Sequence, residues 1–229
     1  MKIRHSNRKH HNWLIYKKYD YLLKKCNTCY KGALYDFGCG ESPYKMFFLK
    51  YADTYTGVDW AGSYYKTKAD IIADLNKPLP IESNVADTIV SISVLEHLCE
   101  PQTMLNESFR ILKPGGYFIL QVPFQWWVHE SPYDYFRYTP FGLKYLLSKA
   151  GFGEVEILPI GGYFTARILK ANYFMAMKVN GKNPLLKFLR ILIIPIWYFN
   201  QWLAPFLDKL DRNKMNETVG YWVIAKKQA

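Results

Sequence analysis

The feature that most restricts how this chain can fold is a repeated event, in which a short apolar run stops abruptly at an acidic or glycine-rich turn. Ala33-Leu34-Tyr35-Asp36-Phe37 ends in Gly38-Cys39-Gly40, Thr54 to Val58 ends in Asp59, and Ala69 to Ala73 ends in Asp74. Thr88 to Ile92 runs into a serine-rich turn, Tyr117 to Val122 stops at Pro123, and Val155 to Pro159 and Val219 to Ala225 complete the series. Apolar runs of this length between turn residues read as buried strands. Helical spacing appears between them, over Trp13 to Cys26, Pro43 to Tyr51, Pro101 to Leu112 and Pro140 to Ala150. Lys113-Pro114-Gly115-Gly116 and Gly151 supply stop signals for the last two. Strands alternating with helices predict an α/β fold, a mainly parallel sheet covered on both faces.

A chain of 229 residues, half of them apolar, can bury the core of one such domain. Its segments are a basic N-terminal helix (1–31), a core (32–160), an apolar and basic insertion with three prolines (161–217) and a final strand (218–229). Net charge divides unevenly, at +8 over 1–31, −5 over 32–160 and +8 over 161–229. The basic flanks around an acidic core argue against a continuous nucleic-acid-binding face and favour contact with an anionic surface. Cys26 and Cys29 form a lone CxxC, half of a structural zinc site, and no second pair follows at zinc spacing, so neither a metal nor a disulfide framework is expected. The charged start leads into no uninterrupted apolar stretch of the signal-peptide kind, so residence in the cytoplasm is the expectation.

In an open parallel sheet, ligands bind beyond the carboxyl ends of the strands, which is where Asp36, Asp59 and Asp74 fall. Glycine at 38 and 40 lets the backbone approach a ligand. A dinucleotide fingerprint starting at Gly38 would need glycine or alanine at 43, and Pro43 stands there, which disfavours a pyrophosphate cradle. Asp59, nineteen residues past Gly40, can accept from two ribose hydroxyls, and Asp74 from an adenine amino group. Three acids with no basic residue in the glycine turn suit a nucleoside cofactor that is cationic at an amino group and a sulfonium.

DFGCG at 36–40, VD at 58–59, AD at 73–74, DTIVSISVLEHL at 87–98 and ESFRILKPGGYFILQVPF at 107–124 together resemble the class I S-adenosylmethionine-dependent methyltransferases, specifically the type 11 group. The resemblance covers roughly residues 30–155. It implies a Rossmann-like, seven-stranded, mostly parallel sheet with an antiparallel last strand, and S-adenosyl-L-methionine as cofactor. By the resemblance Asp36, Gly38 and Gly40 hold the methionine part, Asp59 the ribose, and Asp74 and Leu75 flank the adenine, with Phe37, Cys39 and Trp60 counted among the cofactor residues. Ser91, Ile92 and Ser93 lie on the sulfonium side, and Glu96 and His97 open the next helix, with His97 counted among the cofactor residues.

Pro123 to Pro140 (PFQWWVHESPYDYFRYTP) concentrates charged and aromatic residues outside any apolar period, beside the cofactor in this topology. His129 is the expected general base and Asp134 the next candidate, with Trp126, Tyr133, Arg137 and Tyr138 as substrate contacts. The plain alternative is a solvated loop in which Asp134 and Arg137 pair with each other. Leu185 to Leu207 holds Lys187, Arg190, Asn200, Gln201 and two prolines, too polar for a spanning helix. An interfacial segment is the membrane reading, with 1–31 as a second peripheral contact, and a cover on the fold or a homodimer interface competes with it. The leading expectation is O-methylation of a glycan, lipid-linked sugar or other small acceptor at the inner membrane face. A quinone-like lipid, a nucleic acid, or a non-catalytic scaffold of the same fold are the alternatives.

Overall fold

Seven apolar runs become seven strands: β1 (Ala33–Phe37), β2 (Thr54–Asp59), β3 (Ile71–Ile72), β4 (Ala86–Ile92), β5 (Leu112–Pro123), β6 (Glu154–Pro159) and β7 (Gly220–Lys226). They form one sheet in the order β3-β2-β1-β4-β5-β7-β6. The computed structural model describes residues 9–62, 67–181 and 183–228. The first eight residues of the basic N-terminal flank, and residue 229 of the final segment, lie outside the described residues.

The central strands pair in parallel, Asp36 opposite Gly57 of β2 and opposite Val90 of β4. Leu34, Phe37, Val58, Ile89, Val90, Phe118 and Leu120 are buried, as strands covered on both faces require. β7 is the antiparallel member: near its end Lys227 exchanges backbone hydrogen bonds with Gly115 and Gly116, near the start of β5. Pro43 to Tyr51 is helical only over α2 (Lys45–Phe48) and continues in tighter turns, Lys50 N donating to Phe47 O and Tyr51 N to Phe48 O. Lys113 to Gly116 does more than stop a helix. Ala86 pairs with Leu112 and Thr88 with Tyr117, so these four residues bulge out opposite Asp87, whose carboxylate takes Lys113 Nζ at 2.7 Å and Ala33 N at 2.9 Å.

Helix α3 spans Pro101–Ile111 and α4 spans Pro140–Ala150. The Thr139 hydroxyl accepts from Gly142 N at the head of α4, and Gly151 closes it at φ 110°. The described residues divide into two compact units. One comprises 25–124, 128–158 and 221–228 and carries the sheet; the other comprises 9–24, 125–127 and 159–220 and is helical.

The helical unit contains α1 (Trp13–Lys25, shared at its last residue), α5 (Tyr163–Val179) and α6 (Pro184–Leu207). Asn183 caps α6 at Leu185 N, and the helix continues through Pro195 and Pro205. Asp208, just past its end, accepts from Gly162 N at 2.9 Å, Thr165 N at 3.0 Å and Thr165 Oγ1 at 2.5 Å, which satisfies the open amides of α5. Gln201 joins α6 to the N-terminal segment, accepting from Leu14 N at 2.8 Å and donating to His10 O at 2.9 Å. Among the described residues no helix is long and apolar enough to cross a membrane. Much of α6 nonetheless faces outward, with Leu185, Phe188, Ile191, Leu192, Phe199 and Trp202 all exposed.

Candidate active site

β1 and β2 run in parallel, so the chain leaves both at one edge of the sheet. There Gly38 and Gly40 take φ values of +75° and +52°, in the region that favours glycine. A Cβ on Gly38 would strike Val94, whereas one on Gly40 would meet nothing within 4 Å. The turn is therefore closed against protein at the first glycine and open to a ligand at the second.

Asp59 shapes this turn, its Oδ2 accepting from Gly40 N at 2.8 Å and Thr67 Oγ1 at 3.3 Å, its Oδ1 from Trp60 N at 2.8 Å. Asp36 is buried and accepts from the Tyr55 hydroxyl at 2.6 Å. Burial raises the Asp36 carboxyl to about 7; the Tyr55 bond works against that rise and the Asp59 charge adds to it. An incoming cation would draw such a carboxyl into its ionised form, so the donor set fits a positively charged cofactor and fits a phosphate poorly. Cys39 is buried, and burial pushes its thiol up to about 11, so it packs rather than reacts. Phe37 belongs to the core.

Ala73 N donates to Asp59 O, which brings Asp74 to the same edge. Asp74 also forms the next turn, accepting from Asn76 N and Asn76 Nδ2, both at 3.0 Å, with Lys77 at 3.5 Å; Leu75 beside it is buried. Ser91 is a strand brace, fully buried and donating to Phe37 O at 3.0 Å. Ile92 ends β4 and Ser93 takes a positive φ of 56°, its hydroxyl 2.5 Å from Gln121 Oε1.

A second cluster forms around residues 95–97, a 3₁₀ turn that precedes α3 rather than opening it. Glu96 is fully buried, and neither carboxylate oxygen has a hydrogen-bond partner. Its Oε1 lies 3.7 Å from His97 Nε2 and 4.0 Å from His129 Nε2. Burial pushes the Glu96 carboxyl up to about 8. The two imidazoles meet edge to face at 4.8 Å between ring centres. His97 Nδ1 donates to Tyr133 O at 2.8 Å, and Glu130 Oε2 lies 3.9 Å from its Nε2.

His129 is held from behind, with Asp134 Oδ2 taking its backbone N–H at 2.8 Å and lying 3.3 Å from its Nδ1. Arg137 clamps both Asp134 oxygens, at 2.5 and 2.7 Å. Although burial works in the opposite direction, these partners hold the Asp134 carboxyl at about 2. Asp134 is thus a poor proton acceptor and a good positioning group for His129, and Arg137 is committed to it. Tyr138 is an anchor, its buried hydroxyl donating to Leu95 O at 3.0 Å. Trp60, from the Asp59 turn, packs edge to face on Tyr133 at 5.6 Å, which links the first cluster to the second. Trp126 lies in the helical unit, stacked at an angle on Tyr173. Tyr55, Thr67 and the orphaned Glu96 carboxylate carry no local sequence signal.

Residues 35–120 match the family model described as a methyltransferase domain. The 2-methyl-6-phytyl-1,4-hydroquinone methyltransferase of Spinacia oleracea is 29% identical over 110 residues, 46% of this chain and 32% of that protein. A probable S-adenosylmethionine-dependent methyltransferase of Mycolicibacterium smegmatis is 38% identical over 45 residues, 20% of this chain and 18% of that one. The chain thus spans about a third or less of the curated relatives it matches. Among solved structures, an S-adenosylmethionine-dependent methyltransferase from Archaeoglobus fulgidus superposes with a TM-score of 0.58 at 16% identity, over 92% of this chain and 94% of that one. The [4+2]-cyclase SpnF gives a TM-score of 0.62 at 17% identity, over 93% and 82%. At these identities the likeness shows the fold alone, and a fold shared with a cyclase leaves the chemistry to the site.

Proposed function

We propose that the chain, whose residues 35–120 match a methyltransferase domain, is an S-adenosylmethionine-dependent methyltransferase acting on a hydroxyl of a lipid-borne acceptor. The observation that carries the cofactor reading is the joining of Asp36 and Asp59 to one glycine turn that is open at Gly40. Asp36 would face the cofactor's amino group and Asp59 its ribose hydroxyls, while Trp60 and Tyr133 bound the way to the acceptor cluster. The bound cofactor supplies an electrophilic methyl group on a sulfonium. The chain's task is to present the acceptor oxygen in line with that methyl group, keep water out, and receive the hydroxyl proton at the Glu96, His97 and His129 cluster.

Support for a lipid-borne acceptor comes from α6. Its exposed apolar residues, with Lys187 and Arg190 on the same helix, suit an anionic lipid surface on which the helix would lie rather than span. A lipid-linked sugar is the acceptor that reading favours. A quinone-like lipid is the second reading, favoured by the named activity of the Spinacia relative.

Calorimetry with S-adenosylmethionine, followed by transfer of labelled methyl groups to lipid extracts, tests the proposal. Binding and a labelled lipid product are expected; absence of binding leaves only the scaffold reading. Flotation with anionic vesicles should capture the protein at low salt and less of it as salt rises. Burying one large apolar side chain is worth ~1.5–3 kcal/mol, so the pair Ile191→Glu and Trp202→Glu should lower vesicle binding by about 100-fold or more. Equal binding by that double variant would remove α6 from the interface.

A further inference from the structure

We propose that Glu96, His97 and His129 bind a divalent transition-metal ion of the zinc type. One carboxylate oxygen of Glu96 and one ring nitrogen of each histidine all lie within 4.8 Å of one another, and His97 Nε2 and His129 Nε2 are 3.7 and 4.0 Å from Glu96 Oε1. Tetrahedral ligation with arms of ~2.0–2.1 Å places ligand atoms roughly 3.3 Å apart, so the 3.7 and 4.0 Å from Glu96 to the two imidazoles need close by a few tenths of an ångström around an ion, and the separation between the two imidazole ligand atoms, which lies within 4.8 Å, by no more than ~1.5 Å.

Two independent features point to an ion rather than to a chance meeting of polar groups. The Glu96 carboxylate is fully buried, aimed at the two imidazoles, and without a hydrogen-bond partner on either oxygen. Such a group is costly to bury unless something pairs with it. The histidines, moreover, are both held by the ring nitrogen that faces away from Glu96. His97 Nδ1 meets the Tyr133 carbonyl at 2.8 Å, and His129 Nδ1 lies 3.3 Å from the Asp134 carboxylate. The Tyr133 carbonyl can only accept, so His97 Nδ1 carries the proton and its Nε2 presents a lone pair toward Glu96, and the Asp134 carboxylate beside His129 Nδ1 favours the same tautomer there. Outer partners of this kind fix the tautomer of metal-bound histidines. Arg137 secures the arrangement by gripping Asp134 with two nitrogens.

Two imidazoles and one carboxylate select zinc, iron or manganese over magnesium or calcium. The side chains of His129 and Glu130 are 29% and 32% exposed, which leaves an open side for a further ligand, either Glu130 or an acceptor hydroxyl. The catalytic consequence rests on the methyltransferase reading above and changes one part of it: with Glu96, His97 and His129 on the ion, the cluster would not take the acceptor's proton itself but would make an ion-bound acceptor oxygen lose it more readily, with Glu130 beside it to pass that proton to solvent. Metal binding itself does not depend on that reading.

The test uses the full chain, stripped with a chelator and titrated with cobalt(II), whose visible d–d absorption reports a low-coordinate site, and then with zinc in competition. About one equivalent is expected, with the cobalt bands lost in His129→Ala and in the near-isosteric Glu96→Gln. Asp134→Asn, which disturbs only the outer partner, should weaken zinc by about 10–100-fold. S-Adenosylhomocysteine affinity, read by calorimetry on the same samples, should be unchanged in all three, so a failed cofactor reading and a failed metal reading give different results. Absence of cobalt absorption in the parent overturns the proposal. So does undiminished binding in a variant with a native melting curve, which would place the ion elsewhere, for instance at His10 and His11 or at Cys26 and Cys29.

Discussion

Replacing Asp59 with alanine is expected to abolish measurable cofactor binding, with a loss of at least about 100-fold in affinity for S-adenosylhomocysteine by calorimetry. Two effects add. The carboxylate is the group placed to accept from two ribose hydroxyls, and hydrogen bonds to a charged partner are worth ~1.5–3 kcal/mol each. The same carboxylate also braces the turn through Gly40 N, Trp60 N and Thr67 Oγ1, so its removal strips two backbone amides of their acceptor and loosens the glycine turn itself. Asp59→Asn separates the two, because the amide keeps one acceptor oxygen but loses the charge and the second acceptor. It should bind the cofactor weakly yet melt close to the parent, whereas the alanine variant should melt lower. Parent-like affinity in the alanine variant would remove Asp59 from the cofactor site.

The second large effect concerns Asp36 and is a pH dependence. With its carboxyl raised to about 7 in the folded chain by burial, Asp36 stays protonated over a range in which the unfolded chain has already released that proton. The folded state then binds more protons than the unfolded state, so stability falls as pH rises from about 4 to about 7. Asp36→Asn cannot ionise and keeps an acceptor for the Tyr55 hydroxyl. It should match the parent in melting temperature near pH 4 and exceed it near pH 8, by an amount on the order of a few kcal/mol in unfolding free energy. Cofactor affinity runs the other way. A cation at the turn favours the ionised carboxylate, so the parent should bind S-adenosylmethionine about tenfold more weakly per pH unit below 7. The Asn variant should bind weakly throughout without that slope. Melting curves and calorimetry across pH decide both halves, and a parent with flat affinity between pH 6 and pH 8 would contradict the assignment.

The outline of the sheet was legible because buried strands leave a simple mark, an apolar run that ends at glycine, proline or an acid. β1, β2, β4 and the helix Pro140–Ala150 stand where that mark put them, whereas β3 is only two residues long because little beyond Val58 and Asp59 pairs with it. The helical segment was harder. Pro195 and Pro205 signal interruption, yet α6 runs through both, since packing on α5 and the contacts of Gln201 and Asp208 hold it in place of the lost amides. At the site, spacing located acids but not their partners. For Asp134 the sequence leaves two readings open, proton acceptor or partner of Arg137, and the two-nitrogen grip of Arg137 on both its oxygens is the second. Glu96 read as a helix opener, because nothing local marks a carboxylate whose neighbours, His97 apart, come from more than thirty residues further along the chain. Tyr55 is one aromatic among many until its hydroxyl is found on Asp36.

β7 sits between β5 and β6 although it follows both of them in the chain. On a ribosome, β6 therefore waits with no strand to lean against until residues 220–226 have emerged, roughly sixty residues later. During that interval the growing sheet presents β5 as an exposed edge, open to mispairing with another chain. Synthesis paused before residue 220 should leave a species that chaperones hold and proteases clip, and release of the last strand should convert it to the closed sheet in one step.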